Sequence, residues 1–420
     1  MRVLLVVHGF PPHEQSGTEL YTSELAQALA RAGHDVAVFA GSHSAGEPAQ
    51  EWRHDGKVEI ERLARPRPRL RINYSSESVE HALVSTVNRF GPDVVHVHHL
   101  LGLTMPIVPL LKERGVPVVL TLHDHWFLCP EVQPFSPGAH RLGGDRYGLN
   151  CFLHLELMRP RRAASMLASR DLVRRVRLHR KRARVARAEL EEADILITPS
   201  RFLRARFASF GIPATRLFTI PHGIAPPAEG LPAARSTTCV GYLGPVLHDK
   251  GVDLLVRAFR GVRNRNARLL IRGPEPDERF ARRVRRLAVL DDRVSIGPGI
   301  AHADIGQFLA DIDLLAIPSR FQESFSLVAH EAFAAGVPVL ASDSGALPEI
   351  VTEGANGALF HTGSVRDLRN RLRDLLEDPA KLGALNSFAP VKTIDAHAEE
   401  LAALYRALTS GAGLPHPLAR

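Results

Sequence analysis

The sequence predicts two α/β units in series, each a doubly wound parallel sheet. Three observations carry that expectation. Short β-branched runs alternate with helical patterns, which is the mark of parallel strands joined by crossover helices. The alternation stops at a Pro-, Gly- and Ala-rich stretch, APPAEGLPAARS (225–236), and then starts again. Finally, 420 residues, 45% apolar and 23% charged, exceed what one hydrophobic core normally serves.

Taken in order, the first unit reads RVLLVV (2–7), a helix near 18–32, DVAVFA (35–40), DVVHVH (93–98), VPVVLTL (116–122) and DILITP (194–199). The second reads TTCVGYLG (237–244), a helix to about 262, ARLLIRG (267–273), RVSIG (293–297), DLLAIP (313–318) and VPVLAS (337–342). The expected domains are therefore 1–220 and 237–385, with a hinge at 225–236 between them. A last helical pattern, 393–409, places Ile394, Ala398, Leu401, Leu404, Tyr405 and Leu408 at three-and-four spacing and is expected to pack. The tail GAGLPHPLAR is expected to fray.

No apolar run approaches the 18 or more residues of a membrane span, and Met1-Arg2-Val3 leads straight into a strand without a cleavable signal pattern. A cytoplasmic protein is the expectation. Cys129, Cys151 and Cys239 lack metal-ligand spacing and are too sparse for a disulfide scaffold, so reduced thiols are expected.

The net charge of +8 is local. Between Arg159 and Arg187 lie eleven Arg, one Lys and a single acid, Asp171, a net +11 that leaves −3 for the remainder. No recognition motif or aromatic stacking platform accompanies these charges, so nucleic acid is not the expected partner. Val173, Val176, Ala183 and Val185 interleave with Arg174, Arg175, Arg177, Arg180, Lys181, Arg182 and Arg184. That pattern suits a cationic helix resting on an anionic membrane surface. The alternative is a solvated helix whose Arg stems pack along the first unit.

Chemistry concentrates in Pro318-Ser319-Arg320-Phe321-Gln322-Glu323-Ser324-Phe325-Ser326-Leu327-Val328-Ala329-His330-Glu331-Ala332, which joins a strand to a helix. Ser324 or Ser326 is expected to cap that helix, leaving free N–H groups and the positive dipole end for a diphosphate. Glu323 and Glu331 would put two carboxylates on one wall, where sugar hydroxyls can donate to them. Two solvated acids eight residues apart are the plainer reading of the pair taken alone.

With GVPVLASDSGALPEIVTEGANGALF (336–360) after it, this segment resembles the signature of family 4 of the retaining glycosyltransferases: two Glu separated by seven residues, then a Gly-x-Pro-Val strand. The resemblance implies a GT-B fold, two Rossmann-like domains facing each other across a cleft, with acceptor bound by the first and donor by the second. It implies a retaining transfer of a hexosyl-type sugar from a UDP- or GDP-sugar to a glycan, lipid-linked or small-molecule acceptor. No metal and no cofactor are implied, the nucleotide sugar being a substrate. Glu323 would contact the donor sugar and Glu331 the ribose hydroxyls.

Further segments fit the same family. Tyr242-Leu243-Gly244-Pro245-Val246-Leu247-His248-Asp249-Lys250-Gly251 looks like the strand and loop that supply an Arg and a Lys to the donor diphosphate. Lys250 is in place, whereas Pro245 stands where the family usually has Arg. Phe10-Pro11-Pro12-His13-Glu14-Gln15-Ser16-Gly17-Thr18-Glu19 resembles the first loop, with Gly17 allowing close approach of a ligand and Ser16 in place of a first Gly. Thr121-Leu122-His123-Asp124-His125-Trp126 is similar to the segment facing the donor sugar. By that resemblance His123 is the first unit's main catalytic contact, and Asp124 and Trp126 shape the acceptor pocket. Gly273-Pro274-Glu275, Ile296-Gly297-Pro298-Gly299 and Ile220-Pro221-His222-Gly223 look like donor-base and domain-junction loops. Gly273, Ile296, Phe325, Ser326 and Leu327 join Gly17, Lys250 and Glu331 as candidate donor contacts.

His96, His98, His99, His123 and His125 invite a metal reading, but alternation along strands splits their side chains between faces, and no acid–His set with helix spacing accompanies them. Two other functions remain open on the sequence. One is a nucleotide-sugar epimerase or a sugar phosphorylase of the same fold, which the Glu–Glu signature disfavours for the epimerase. The other is a non-catalytic glycan or nucleotide binder, against which the presence of His123, Lys250, Glu323 and Glu331 counts.

Overall fold

The computed structural model describes residues 1–42, 51–64, 75–129, 172–225 and 237–411. Hinge residues 226–236, the 159–171 part of the basic segment, Cys151 and the 412–420 tail lie outside them. The chain forms two compact units: one runs Met1–Gly223 and takes in the last helix, Ile394–Ser410, and the other runs Ile224–Thr393.

In the first unit β1 (Arg2–Val7), α1 (Gly17–Arg31), β2 (Asp35–Ser42), β3 (Glu51–Asp55), β4 (Val58–Ala64), α2 (Glu77–Phe90), β5 (Val94–Val97), α3 (Ile107–Lys112), β6 (Val118–Thr121), α4 (Leu172–Glu192), β7 (Ile195–Thr198), α5 (Arg201–Ser209) and β8 (Leu217–Thr219) follow one another. Every residue of β1 after Arg2 is buried, because helices cover both faces of a doubly wound sheet. Gly91 in the left-handed conformation ends α2, and the Ser200 hydroxyl accepts the Leu203 N–H to start α5. The sheet order is β3-β4-β2-β1-β5-β6-β7-β8, parallel except for the β3–β4 hairpin. That hairpin was not expected. Trp52 is the one apolar residue of β3, and Glu59, Glu61 and Arg62 interrupt the apolar residues of β4, so neither reads as the apolar run that marks a buried strand.

The second unit contains β9 (Thr238–Leu243), α6 (Val252–Phe259), β10 (Ala267–Arg272), α7 (Glu278–Ala288), β11 (Val294–Gly297), α8 (Ile305–Ala310), β12 (Leu314–Ile317), α9 (Leu327–Ala334), β13 (Val339–Ser342), α10 (Leu347–Ile350), β14 (Gly357–Phe360), α11 (Val365–Leu376) and α12 (Pro379–Gly383). Its six strands run β11-β10-β9-β12-β13-β14, all in parallel register. Two apolar clusters cover the two faces, one built around Leu255, Phe259 and Leu269, the other around Leu315, Ala329 and Val339.

In both sheets the strand order reverses once, between β1 and β5 and between β9 and β12. Ligands of such sheets bind beyond the carboxyl ends of the strands at the reversal. Gly17 follows β1, His98 follows β5, Lys250 follows β9, and Glu323 follows β12.

Candidate functional site

In the second unit the loops after β9 and β12 interlock. Gly251 has φ +69°, and a Cβ there would stand 1.8 Å from the Pro318 carbonyl oxygen, so only glycine lets the loops touch. Gly273 is needed for the same reason, since its Cβ would stand 1.7 Å from the Gly244 carbonyl oxygen. Across the first contact Lys250 Nζ lies 3.0 Å from Glu323 Oε1 and 4.3 Å from the centre of the Phe321 ring. Ser319 Oγ donates to the same carboxylate oxygen at 2.6 Å. Glu323 is only 8% exposed, yet among the described residues no donor reaches its Oε2. A buried carboxylate with one oxygen occupied and the other open is built to accept one more hydrogen bond.

The start of α9 departs from the expected cap. Ser326 holds the N-cap position in the left-handed region, φ 71°, and its side chain makes no capping bond. It is the only non-glycine residue with positive φ among the described residues. Its carbonyl accepts a hydrogen bond from His330 Nδ1 at 2.9 Å, and the His330 ring stacks on Phe325 with centroids 4.0 Å apart. A carbonyl only accepts, so Nδ1 carries the proton. Burial pushes the His330 pKa down, which keeps that ring neutral. The helix leaves the Leu327 and Val328 N–H groups unpaired, a setting that favours an anion. Glu331 lies within α9, half-buried, and Ile296 within β11 packs at the edge of the core.

The first unit gathers histidines around Tyr21 of α1. The Tyr21 ring centroid lies 4.0 Å from His222, 5.2 Å from His123, 5.6 Å from His98 and 5.7 Å from His397. His98 Nδ1 and His123 Nε2 share a hydrogen bond at 3.1 Å, and His96 bonds the Tyr405 hydroxyl at 2.5 Å and the Thr121 hydroxyl at 2.7 Å. Burial pushes the pKa values of His96, His98 and His123 well below the usual range, so these rings are neutral. Because Nε2 of His123 is engaged by His98, Nδ1 is its nitrogen left for a ligand. His99 faces elsewhere: it bonds Asp124 at 3.2 Å and its ring lies tilted against that of His8, with centroids 4.4 Å apart; His8 Nε2 lies 3.0 Å from Glu19. Burial raises the Glu19 pKa, but the His8 and Ser16 contacts outweigh it and bring it to about 2.

The other candidates of the first unit are placed as follows. Gly17 is the first residue of α1, and Ser16 ahead of it spends its hydroxyl on Glu19. Asp124 is committed to His99 and to the Trp126 N–H at 2.7 Å. Trp126, 3% exposed, is a core side chain under the Arg182 guanidinium, which donates to the Trp126 carbonyl. Ser319, Tyr21, His222 and His397 were not anticipated. Ser319 stood inside a quoted motif, but nothing in the sequence joins His222 and His397 to Tyr21, since long-range packing brings them there.

In α4, the described part of the basic segment, His179, Arg182, Ala186, Glu189 and Leu190 are buried, while Arg174, Arg177, Arg180, Lys181, Arg184 and Arg187 are exposed. Glu189 accepts the Val108 N–H at 3.0 Å. The anticipated thin apolar stripe is split, because Val185 packs on the core whereas Val173 is 59% exposed. Among the described residues no group of three or more His, Cys, Asp or Glu is placed to hold a metal ion, and no helix is long and apolar enough to cross a membrane.

Residues 15–226 match the profile of Glycosyltransferase Family 4, and residues 231–390 that of Glycosyl transferases group 1. A glycogen synthase of Mycobacterium tuberculosis is 26% identical over 403 residues, spanning 90% of this chain and 87% of that one. Among solved structures, the sucrose-phosphate synthase of Thermosynechococcus elongatus superposes with a TM-score of 0.70 at 21% identity, covering 98% of this chain and 100% of that one. An Anabaena protein in complex with UDP and glucose gives 0.61 at 18% identity, with 98% of each chain covered.

Proposed function

The chain belongs to glycosyltransferase family 4, has the GT-B fold and is a glycosyltransferase, and on that premise we propose that it moves a hexosyl-type sugar, with retention, from a UDP- or GDP-sugar to a hydroxyl of a glycan, lipid-linked or small-molecule acceptor. The observation that carries the reading is the Lys250–Glu323 pair at the strand reversal, with Glu323 Oε2 open and the start of α9 beside it in sequence. Lys250 and the α9 N–H groups offset the charge of the leaving diphosphate, which removes the need for a bound metal. Glu323 accepts from a hydroxyl of the transferred sugar, Glu331 from the ribose, and His123 bonds the sugar through Nδ1. Asp124 and Trp126 act on the acceptor side by fixing the His99 loop. The UDP and glucose of the Anabaena structure support a nucleotide-sugar donor.

The test is transfer from a panel of UDP- and GDP-hexoses in EDTA, with the product anomer read by NMR. Wild type is expected to work without metal and to retain configuration. Glu323→Ala and Lys250→Ala should each lower turnover about a hundredfold while the chain still folds. Near-normal turnover in either variant removes its role, rescue only by Mg²⁺ or Mn²⁺ removes the metal-free reading, and an inverted product removes retention.

The exposed cationic face of α4 supports a cytoplasmic enzyme seated peripherally on the anionic inner face of a membrane. At about 1 kcal/mol per basic residue near such a leaflet, four engaged side chains give salt-sensitive adsorption. Replacing Arg174, Arg177, Arg180 and Arg184 by Gln should abolish co-sedimentation with phosphatidylserine vesicles. Equal binding by the variant would discard the seating.

A further inference from the structure

Arg320 sits between the two loops that carry Lys250 and Glu323, and all of its polar contacts face the Lys250 side. Its backbone N–H donates to the Asp249 carbonyl at 2.7 Å. Its Nη1 donates to the His248 carbonyl at 2.5 Å and to Asp253 Oδ1 at 2.7 Å, and Nη2 donates to Asp253 Oδ2 at 3.0 Å. Asp253 is 2% exposed and lies in the first turn of α6, directly after Gly251. One residue of the β12 loop therefore grips both sides of Lys250, the two carbonyls before it and the carboxylate after it.

The chemistry of the grip is specific to arginine. A planar guanidinium satisfies both oxygens of one carboxylate and still has an N–H left for a carbonyl, whereas an ammonium acts as a single point charge. Burial raises the Asp253 pKa, but the hydrogen bonds and charge of Arg320 outweigh it and hold the carboxyl below the usual range, so the pair stays ionised. Without the fork, the Lys250 loop keeps the Gly251 contact with Pro318 and the Arg320 N–H bond to the Asp249 carbonyl but loses the guanidinium contacts to the His248 carbonyl and to Asp253. Lys250 Nζ is then held only by its own contacts with Glu323 and the Phe321 ring.

We propose that Arg320 is a positioning residue for the donor site: it holds the Lys250 loop so that the ammonium meets the diphosphate and the Glu323 carboxylate at once. This rests on the donor reading given above. The sequence places Pro245 where related enzymes usually carry a second phosphate-binding Arg. A site with one cation on the diphosphate depends more heavily on where that cation stands.

The experiment is calorimetric binding of UDP and GDP to the full chain in six versions: wild type, Arg320→Lys, Asp253→Asn, Lys250→Ala and the two double variants with Lys250→Ala. Arg320→Lys keeps the charge and loses the fork, and Asp253→Asn, which breaks the grip from the other side, guards against an Arg320 variant that folds poorly. Each is expected to weaken nucleoside diphosphate binding about tenfold in the wild-type background and by less than twofold when Lys250 is already Ala. A purely structural salt bridge would act equally in both backgrounds, so equal weakening overturns the proposal, as does unchanged binding in Arg320→Lys and Asp253→Asn. Wild type that binds neither UDP nor GDP overturns the donor reading and the positioning role together, whereas wild type that binds while the variants match it overturns the positioning role alone.

Discussion

At the strand reversal of the first unit the polar groups around Tyr21 are imidazoles, the neutral rings of His98 and His123 set edge-on to it and the ring of His222 tilted against it. At the reversal of the second they are paired charges, Lys250 with Glu323 and Arg320 with Asp253. Both solutions pair most of their buried polar atoms, although His98 Nε2 has no hydrogen-bond partner among the described residues, and they do so under different constraints. Imidazoles bonded to one another and to hydroxyls avoid the cost of burying charge only while every ring stays neutral. Ion pairs keep their charge, and each partner makes the other's burial tolerable. Topology therefore sets where a site lies in each sheet, while side-chain chemistry sets which condition each site withstands.

Acid should separate the two most clearly. His96, His98 and His123 titrate well below the usual range in the folded unit, and His125 is brought by burial to about 4. The unfolded chain takes up protons near pH 6.5 that the folded unit refuses, so their stabilisation is complete above that pH and is lost as pH falls below it. Each such ring costs about 1.4 kcal/mol per pH unit below 6.5. Glu19, with a folded pKa of about 2, loses its contribution only below the ordinary glutamate range, and so does not act in this window. Burial lowers His330 in the second unit as well, and Glu189 of the first unit, raised by burial, works the opposite way and offsets about one ring, which leaves the larger loss with the first unit. Hydrogen exchange followed by mass spectrometry from pH 7.5 to 5.5, corrected for intrinsic rates, should show the first unit losing protection first. Earlier loss in the second unit would break the comparison.

A smaller cut tests whether the ring network is held from the last helix. Tyr405 of that helix bonds His96 at 2.5 Å inside the core, and burial raises its own pKa. Tyr405→Phe keeps the ring and leaves a buried imidazole nitrogen without its partner, at a cost of about 1–3 kcal/mol. Urea unfolding should show that loss, with increased exchange in both Ile394–Ser410 and β5. An unchanged midpoint would mean that another donor or acceptor replaces the hydroxyl.

How far the sequence foretold these sites follows from the range of each interaction. Strand after strand was legible because β1, β5, β6, β9, β12 and β13 are continuous apolar runs with both faces buried. β3 and β4 were not, since the edge strand β3 and its neighbour β4 are both interrupted by charges, and β14 was missed because GALF opens on a glycine and spans four residues. Lys250 and Glu323 were legible as motif members. That they touch, 73 residues apart, was not, nor was the Arg320 grip on Asp253. The histidines were visible at 96–99 and 123–125, yet His222 and His397 join them only through folding.

The smallest effect concerns the backbone of the ionic site. Ser326 occupies the left-handed region, φ 71°, where a side chain costs about 1–2 kcal/mol relative to the ordinary helical region. Glycine removes that penalty but gives back about 0.5–1 kcal/mol of unfolded-chain entropy. Ser326→Gly should therefore stabilise the second unit by about 0.5–1 kcal/mol, with the His330 bond to the residue 326 carbonyl kept because it is made by the backbone. Nothing comparable is available in the first unit, where every described positive-φ residue is already glycine. If the variant gains stability and keeps turnover, the hydroxyl is dispensable and the strain is merely tolerated. If it gains stability and loses turnover, the hydroxyl contacts the donor, and the strained backbone is what aims it there. A loss of stability would contradict the strain itself, because it would require the Ser326 hydroxyl to hold the start of α9, where it makes no capping bond.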